Sequence, residues 1–437
     1  MLQRTMRNSG RSWIVYAVVF VLALSLRLGY QAFVWHGPLG NADTPTYQDL
    51  AAEISHGQPY YTDQRAGPGG FPADLQRPPG YPAFLAGVDF TSPDANSTRR
   101  LRTSAVQCFV GAAFAAVLAW LVAALTGPGL GLLAGCFYAV DWVTIVHTPM
   151  VIPETVYTAL LGTAVLVYAL ALLRNRVPFI LIAGFLLGIA ALVKPAGQVV
   201  VLAFLVAWLC HKPRRWSGLL FLLTYLACVG PWMARNQVKH GVFTLSEIGT
   251  VDLYFYNAQG SLHSYSFRDL EGNQINNDVT TLDKSWESQN LTPSERSRQM
   301  KRQAISVIVK QWPVVLWQST VGFARTCFGT ASITAADSMN SPPGHISRIL
   351  LNVLPLMQIC LLWALAIYGC LAGNALPWEI RVFQAVTILC VLLPAASPLA
   401  QSRFRVPAIP EICVLAAAGV ATLGVRYGGW KYRSELQ

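Results

Sequence analysis

Apolar positions in this chain fall into runs of about the length that crosses a bilayer. They cover residues 13–35, 104–125, 130–148, 155–173, 178–194, 197–210, 216–234, 348–372, 382–399 and 406–425. A helix needs about 20 mostly apolar residues to span the hydrocarbon, so each run predicts a crossing. The runs 178–194 and 197–210 are short, with Lys194-Pro195 between them, and predict tilted or broken helices around a buried polar point. Another run, 312–328, is interrupted by Pro313, Gln318 and Arg325 and reads as an interfacial or re-entrant element. The pattern predicts an all-α polytopic membrane protein of about ten to eleven transmembrane helices.

Two long polar segments break the series. Residues 36–103 are rich in Gly, Pro, Tyr and Asp. Within them Thr46 to Ser55 has a helical pattern, with Tyr47, Leu50, Ala51 and Ile54 on one face. Asp43 or Thr44 would cap that helix, and Pro45 suits its first turn. His56 to Gly80 is turn-rich and predicts irregular structure. The second segment, 236–311, carries Tyr254, Tyr256, Tyr265, Trp286 and an amphipathic pattern from Pro293 to Lys310, and predicts a small α/β or mostly helical cap. The expected organisation is an N-terminal transmembrane module of seven spans, 1–235, a loop segment, 236–311, and a C-terminal transmembrane module, 312–437.

Composition narrows the class. Of 437 residues 54% are hydrophobic and 12% charged, about half the charge of a soluble domain, which excludes a soluble enzyme, a disordered chain and a disulfide scaffold. The net charge of +11 would suit nucleic acid, but the basic residues sit between apolar runs, as the positive-inside bias requires. Arg4, Arg7 and Arg11 place the N-terminus in the cytoplasm; Arg174 with Arg176, and Lys212 with Arg214 and Arg215, mark inner loops; Arg426, Lys431 and Arg433 do the same for the C-terminus. The first run is too long for a signal-peptide core and reads as an uncleaved span. Both polar segments, after spans one and seven, then lie on the extracytoplasmic face. The nine cysteines show no CxxC pair and read as small buried apolar residues.

A few polar residues stand out at the outer boundary. Asp43 reads as a helix N-cap or as a carboxylate placed to orient or deprotonate a hydroxyl. Glu154, after Pro153, suits a first helical turn, yet it shares the level of Asp43, where two acids are costly unless used. Asp49 and Glu53 read as a solvated helix face, and His147 as an interfacial histidine. Asp141, inside the third run, is an intramembrane acid and so a functional candidate. No metal-binding spacing occurs. Lys194, Arg235, Arg403 and Arg405 run against the positive-inside bias. Together they suggest an anion site, for which guanidinium and ammonium groups suit phosphate.

In order and spacing these pieces resemble the polyprenyl-phosphate-sugar-dependent glycosyltransferases of the C-type superfold, among them the protein O-mannosyltransferases and lipid A aminoarabinose transferases. The matching motifs are Asp43 with Tyr47, Arg77-Pro78-Pro79-Gly80-Tyr81-Pro82, Pro153-Glu154-Thr155, Lys194-Pro195, Pro231-Trp232 with Arg235-Asn236, and Arg403-Phe404-Arg405-Val406-Pro407. The resemblance is thin over 245–345. The family's first outer loop often carries two adjacent acids, whereas Asp43 lies between Ala42 and Thr44. The resemblance implies inverting transfer of a sugar from a polyprenyl-phosphate donor to a hydroxyl of a glycan, lipid or protein acceptor, outside a cell (inner or plasma) membrane. It implies Asp43 and Glu154 as catalytic residues, and Tyr47, Arg77, Tyr81, Lys194, Arg235, Arg403 and Arg405 as substrate-binding ones. Glu154 would hold the acceptor, a sugar hydroxyl or a metal, so a divalent metal is left open. The alternative is a transporter or flippase for a lipid-linked glycan, which would need no lone acid beside the cations and would line a route with charge. A scaffold subunit that kept the fold would have lost Asp43.

Overall fold

The structure is a computed structural model. It describes residues 12–427 apart from 38, 42, 61–65, 90–95, 211–215, 263–283, 287, 340–342 and 399. The basic residues before Ser12, those at 211–215, Tyr265, Lys431 and Arg433 therefore lie outside the described residues.

The protein is built from helices. These are α1 (Ser12–Gly29), α2 (Thr44–Ser55), α3 (Gly80–Asp89), α4 (Asn96–Thr126), α5 (Pro128–Ala139), α6 (Trp142–His147), α7 (Glu154–Arg174), α8 (Val177–Val193), α9 (Gly197–Cys210) and α10 (Trp216–His240). After a helical stretch with a π-helical centre, Asp252–Gln259, come α11 (Pro293–Lys310), α12 (Trp312–Phe328), α13 (Ser332–Asp337), α14 (His345–Ala372), α15 (Trp378–Leu392) and α16 (Ile409–Tyr427). A 3-10 segment, Ser402–Ala408, leads into α16. The sole strand pairing among the described residues is short: Ala66 and Gly67 pair antiparallel with Pro72 and Phe71, across a turn in which Gly69 and Gly70 both have positive φ.

Among the described residues six helices are long and apolar enough to cross a bilayer, covering 13–34, 99–126, 154–174, 216–240, 346–372 and 402–426. The other apolar runs fold as shorter helices. One run does not fold as the single helix its apolar pattern predicts. Residues 130–148 divide into α5 and α6, and Asp141 is the N-cap between them, with Oδ1 accepting from the Thr144 amide at 2.8 Å. An acid read as intramembrane thus caps a broken helix. Arg27 answers it from α1, donating to the carbonyls of Tyr138 and Ala139 and to Thr144 Oγ1. Those carbonyls are the negative end of α5, where a cation is favoured. The 312–328 run is one uninterrupted helix: Pro313 sits in its first turn, and Gln318 and Arg325 are buried. Arg325 donates to the Pro398 carbonyl at 3.1 Å.

Two cores organise the molecule. The larger lies between the apolar helices. The smaller joins the two polar segments, with Phe71 and Leu75 from the first packed against Val251, Tyr254, Phe255, Ala258, Trp286, Met300 and Ala304 of the second. Arg296 of α11 also donates to the Gly69 carbonyl at 2.8 Å. The amide of Glu247 donates to the Leu75 carbonyl at 3.0 Å, and Ser246 Oγ donates to the carbonyl of Gln76. Residues 69–76 and 246–258 are therefore neighbours.

Candidate active site

Chain reversals bring the charges together. Helix α7 starts at Glu154 and runs away from the site end, turns at Asn175 in the left-handed region, and returns as α8. Lys194 ends α8 because it precedes Pro195, which disfavours helical backbone before it. An acid thus opens one helix and a base closes its antiparallel neighbour, each at the end its dipole favours. Lys194 Nζ lies 2.9 Å from Glu154 Oε1, whose side chain is almost wholly buried.

The first polar segment is pinned against this pair. The Val151 amide donates to the Leu39 carbonyl at 2.7 Å, and Thr44 Oγ1 donates to the Val151 carbonyl at 3.0 Å. Asp43 holds the N-cap position of α2 yet makes no side-chain cap bond. Its Oδ1 accepts from Arg77 Nη2 at 2.7 Å instead. Arg77 lies over the Tyr47 ring, 5.2 Å from its centroid. Burial pushes the Tyr47 hydroxyl up to about 12, so it stays protonated as a donor. Gly80 makes this arrangement fit: a Cβ there would stand 2.6 Å from the backbone at Leu192 and Val193. Close approach at Gly80 sets the chain three residues after Arg77 against the residues just before Lys194.

Tyr81 plays a supporting part. It is fully buried, meets Tyr47 edge-on at 5.0 Å, and donates its hydroxyl to Gln107 Oε1 at 2.8 Å. Gln107 in turn holds the loop before Glu154 by donating to the Thr148 carbonyl at 3.0 Å. Tyr81 therefore shapes the site from behind.

Arg403 and Arg405 go opposite ways. Both Lys194 Nζ and Arg403 Cζ lie over the Phe404 ring, at 5.4 and 5.0 Å from its centroid. Arg403 has no hydrogen-bonded or ion-pair partner among the described residues, and its Nε is buried without one. Arg405 is buried and donates to the carbonyls of Thr326, Cys327 and Gly329 at 2.8, 2.6 and 3.0 Å. It closes the C-terminal turn of α12, and its guanidinium is taken up there rather than presented with Arg403.

Arg235 belongs to an adjoining cluster. α10 continues through Pro231 to His240, so Arg235 lies one turn before the adjacent Lys239 and His240. All three converge on Asp74 Oδ2, with Lys239 at 3.3 Å and His240 at 3.0 Å. Burial alone would raise the Asp74 carboxyl, but the bonds from His240 and Arg235 hold it below its ordinary value. Tyr60 links the clusters, donating its hydroxyl to the Arg77 carbonyl at 2.8 Å and accepting from Arg235 at its main-chain carbonyl at 2.8 Å.

Two further residues of the second segment, Asp252 and Tyr256, stand at the site although neither is among its expected residues. Asp252 opens the π-helical stretch, one turn after the residues joined to Leu75 and Gln76, and Arg77, Asp43, Lys194 and Arg403 all act on it electrostatically. Burial raises its carboxyl to about 6, and Asp43 adds to the rise. Burial, with Asp252 next, pushes Tyr256 on the following turn up to about 12. A lone acid between apolar and aromatic neighbours, Val251-Asp252-Leu253-Tyr254, was the one available signal.

Two of the acids at this site are already paired with cations. Asp43 and Glu154 turn to Arg77 and Lys194, and among the described residues no three His, Cys, Asp or Glu side chains are grouped to hold an ion.

The bundle and its capped end share the fold of solved archaeal oligosaccharyltransferase structures. The chain is similar to the oligosaccharyltransferase AglB of Archaeoglobus fulgidus, solved with an inhibitory peptide and a dolichol-phosphate, at 11% identity and a TM-score of 0.56, over 98% of this chain and 53% of that one. The Archaeoglobus fulgidus enzyme solved with Zn and sulfate gives 12% identity and a TM-score of 0.56, over 94% and 49%. This chain thus spans about half the length of those proteins. ArnT from Cupriavidus metallidurans, solved with undecaprenyl phosphate, aligns more loosely, at 14% identity over 96% and 79% with a TM-score of 0.41. No family model matches the chain, and no curated protein matches it by sequence.

Proposed function

We propose that this protein is an inverting membrane glycosyltransferase. It moves a sugar from a polyprenyl-phosphate donor to a hydroxyl acceptor at the extracytoplasmic face of a cell membrane. The observation that carries this reading is the unpaired Arg403 guanidinium, which shares the Phe404 ring with Lys194 and lies in one electrostatic cluster with Asp43 and Arg77. Cations held in a poorly hydrated site stabilise a leaving phosphate most as its bond to the sugar breaks. Arg403 and Lys194 receive that charge, while Asp43, fixed by Arg77, orients the acceptor hydroxyl. Tyr47 supports Arg77 from below and Tyr81 supports Tyr47. Glu154 holds Lys194 in place, and Arg235 steadies the loop through Asp74.

The test is direct. Purified protein in lipid nanodiscs is given a polyprenyl-phosphate-linked sugar and a panel of glycan, lipid and peptide hydroxyl acceptors. Release of free polyprenyl phosphate matched by glycosylated acceptor supports the reading. Movement of intact donor between leaflets with no sugar transferred would place the protein with the flippases.

A further inference from the structure

We infer that Asp252 is the group that accepts the proton of the acceptor hydroxyl, while Asp43 positions that hydroxyl without taking the proton. The inference rests on the glycosyl-transfer reading above and divides its chemistry between two carboxylates.

Three acids and three cations belong to this site, and their pairing is uneven. Asp43 is bound to Arg77 and Glu154 to Lys194. That leaves one cation, Arg403, and one acid, Asp252. No hydrogen bond to the Asp252 carboxylate occurs among the described residues; Asn257 Nδ2 donates to its main-chain carbonyl instead. A carboxylate already held by a guanidinium has an oxygen occupied by that bond. An unpaired one at a partly buried position gains most from a proton.

Position supports the same division. Asp252 is carried to the site by the contact of 246–247 with 75–76, the residues just before Arg77. It opens an eight-residue π-helical stretch, a rare geometry that is frequent at functional sites. The charged groups around it are Arg77 and Asp43 from the first segment, Lys194 after α8, Arg403 before α16, and Tyr256 on its own helix. Glu247, its other acidic neighbour in sequence, is engaged elsewhere, bonded to Thr250 and Ser297 with Lys301 at 3.6 Å.

The step balances without a further reactant. A lone pair of the acceptor oxygen forms the new bond to the anomeric carbon. The bond from that carbon to the phosphate oxygen breaks, and its electron pair leaves with the phosphate, facing Arg403 and Lys194. The acceptor O–H proton passes to an Asp252 carboxylate oxygen and is later released to water. A base with a pKa of about 6 is ionised at neutral pH and still matched to the task.

The experiment measures transfer by purified protein between pH 5 and 8, with binding of polyprenyl phosphate measured in parallel. In the unsubstituted protein, turnover falls as pH drops through about 6, because Asp252 becomes protonated. Asp252→Asn is expected to lose roughly 10²–10⁴-fold in turnover, the usual share of a general base, and to lose that acid limb, with polyprenyl-phosphate binding retained. Asp43→Asn is expected to keep the limb. If Asp252→Asn transfers sugar normally, or keeps the limb, Asp252 is not the proton acceptor. If unsubstituted protein transfers no sugar at any pH, it is the glycosyltransferase reading that fails.

Discussion

The Asp43 carboxylate bonds to Arg77 at 2.7 Å and leaves the helix start behind it without a side-chain cap. Asn41 has taken over the local role, its Oδ1 accepting from the Asp43 amide at 3.0 Å and from Thr44 Oγ1 at 3.2 Å. Asp43→Asn should therefore leave α2 and the yield of protein unchanged. It should lower glycosyl transfer about 10²-fold, the cost of misplacing a reacting group by about 1 Å. Single-turnover transfer by the purified variant measures this, and a normal rate would return Asp43 to a structural role.

The two arginines of Arg403-Phe404-Arg405 separate binding from folding. Arg403→Ala removes an unpaired cation and should weaken polyprenyl-phosphate binding by roughly tenfold or more, as loss of a charge-assisted bond of about 1.5–3 kcal/mol does, with thermal stability kept. Arg405→Ala strips three carbonyls at the end of α12 of their donor. It should lower stability by about 2–3 kcal/mol and affect binding only through the fold. Equal losses of binding at equal stability would contradict this split.

Sequence carried the fold further than it carried the site. The apolar runs set most helices, and the Lys194-Pro195 stop and the first-turn position of Glu154 were both written locally. The division of 130–148 was hidden, because Asp141 as an N-cap and Asp141 as an intramembrane charge look alike until Arg27 is seen closing α5. The opposed directions of Arg403 and Arg405 depend on α12, far off in sequence. Asp252 lay in the segment where the family resemblance fades, and only the contact of 246–247 with 75–76 brings it to Arg77.

Metal chelation gives a third outcome. Asp43 and Glu154 are engaged by Arg77 and Lys194, and Arg403 and Lys194 stand ready to meet a leaving phosphate. Transfer by purified protein should be unchanged by EDTA and should not rise with added divalent ions. A loss with EDTA that Zn or Mn restores would show that these pairs open to take a metal.

Asp74 ties α10 to the first polar segment. It is wholly buried, and three basic side chains share one of its oxygens. Asp74→Asn leaves them crowded without an anion. Breaking such a buried pair costs about 3–5 kcal/mol, and the lower end applies because Arg235 and Lys239 keep 26% and 34% of their side chains exposed. Its carboxyl lies below the ordinary value, so this stabilisation is present above the unfolded value and is lost as pH falls through the folded one. Unfolding of the unsubstituted protein should therefore become easier at acid pH, and that sensitivity should shrink in Asp74→Asn.

Gly80 tests whether the site depends on backbone contact as well as on its charges. A Cβ at this position meets main-chain atoms of Leu192 and Val193 at 2.6 Å, and backbone cannot swing aside as a flexible side chain would. Gly80→Ala must push α3 away from the end of α8, at about 1–3 kcal/mol for an overpacked contact. Arg77 rides on the residues before α3 and Lys194 on those after α8, so the same shift widens the gap between the two ion pairs. Transfer should then fall about 10²-fold, although every charged residue is still present. Gly87, on the same helix, provides the control, because a Cβ added there would meet nothing within 4 Å. Gly87→Ala should leave both stability and transfer as they were, and equal losses in the two variants would mean that helix α3, rather than its contact with α8, governs the site.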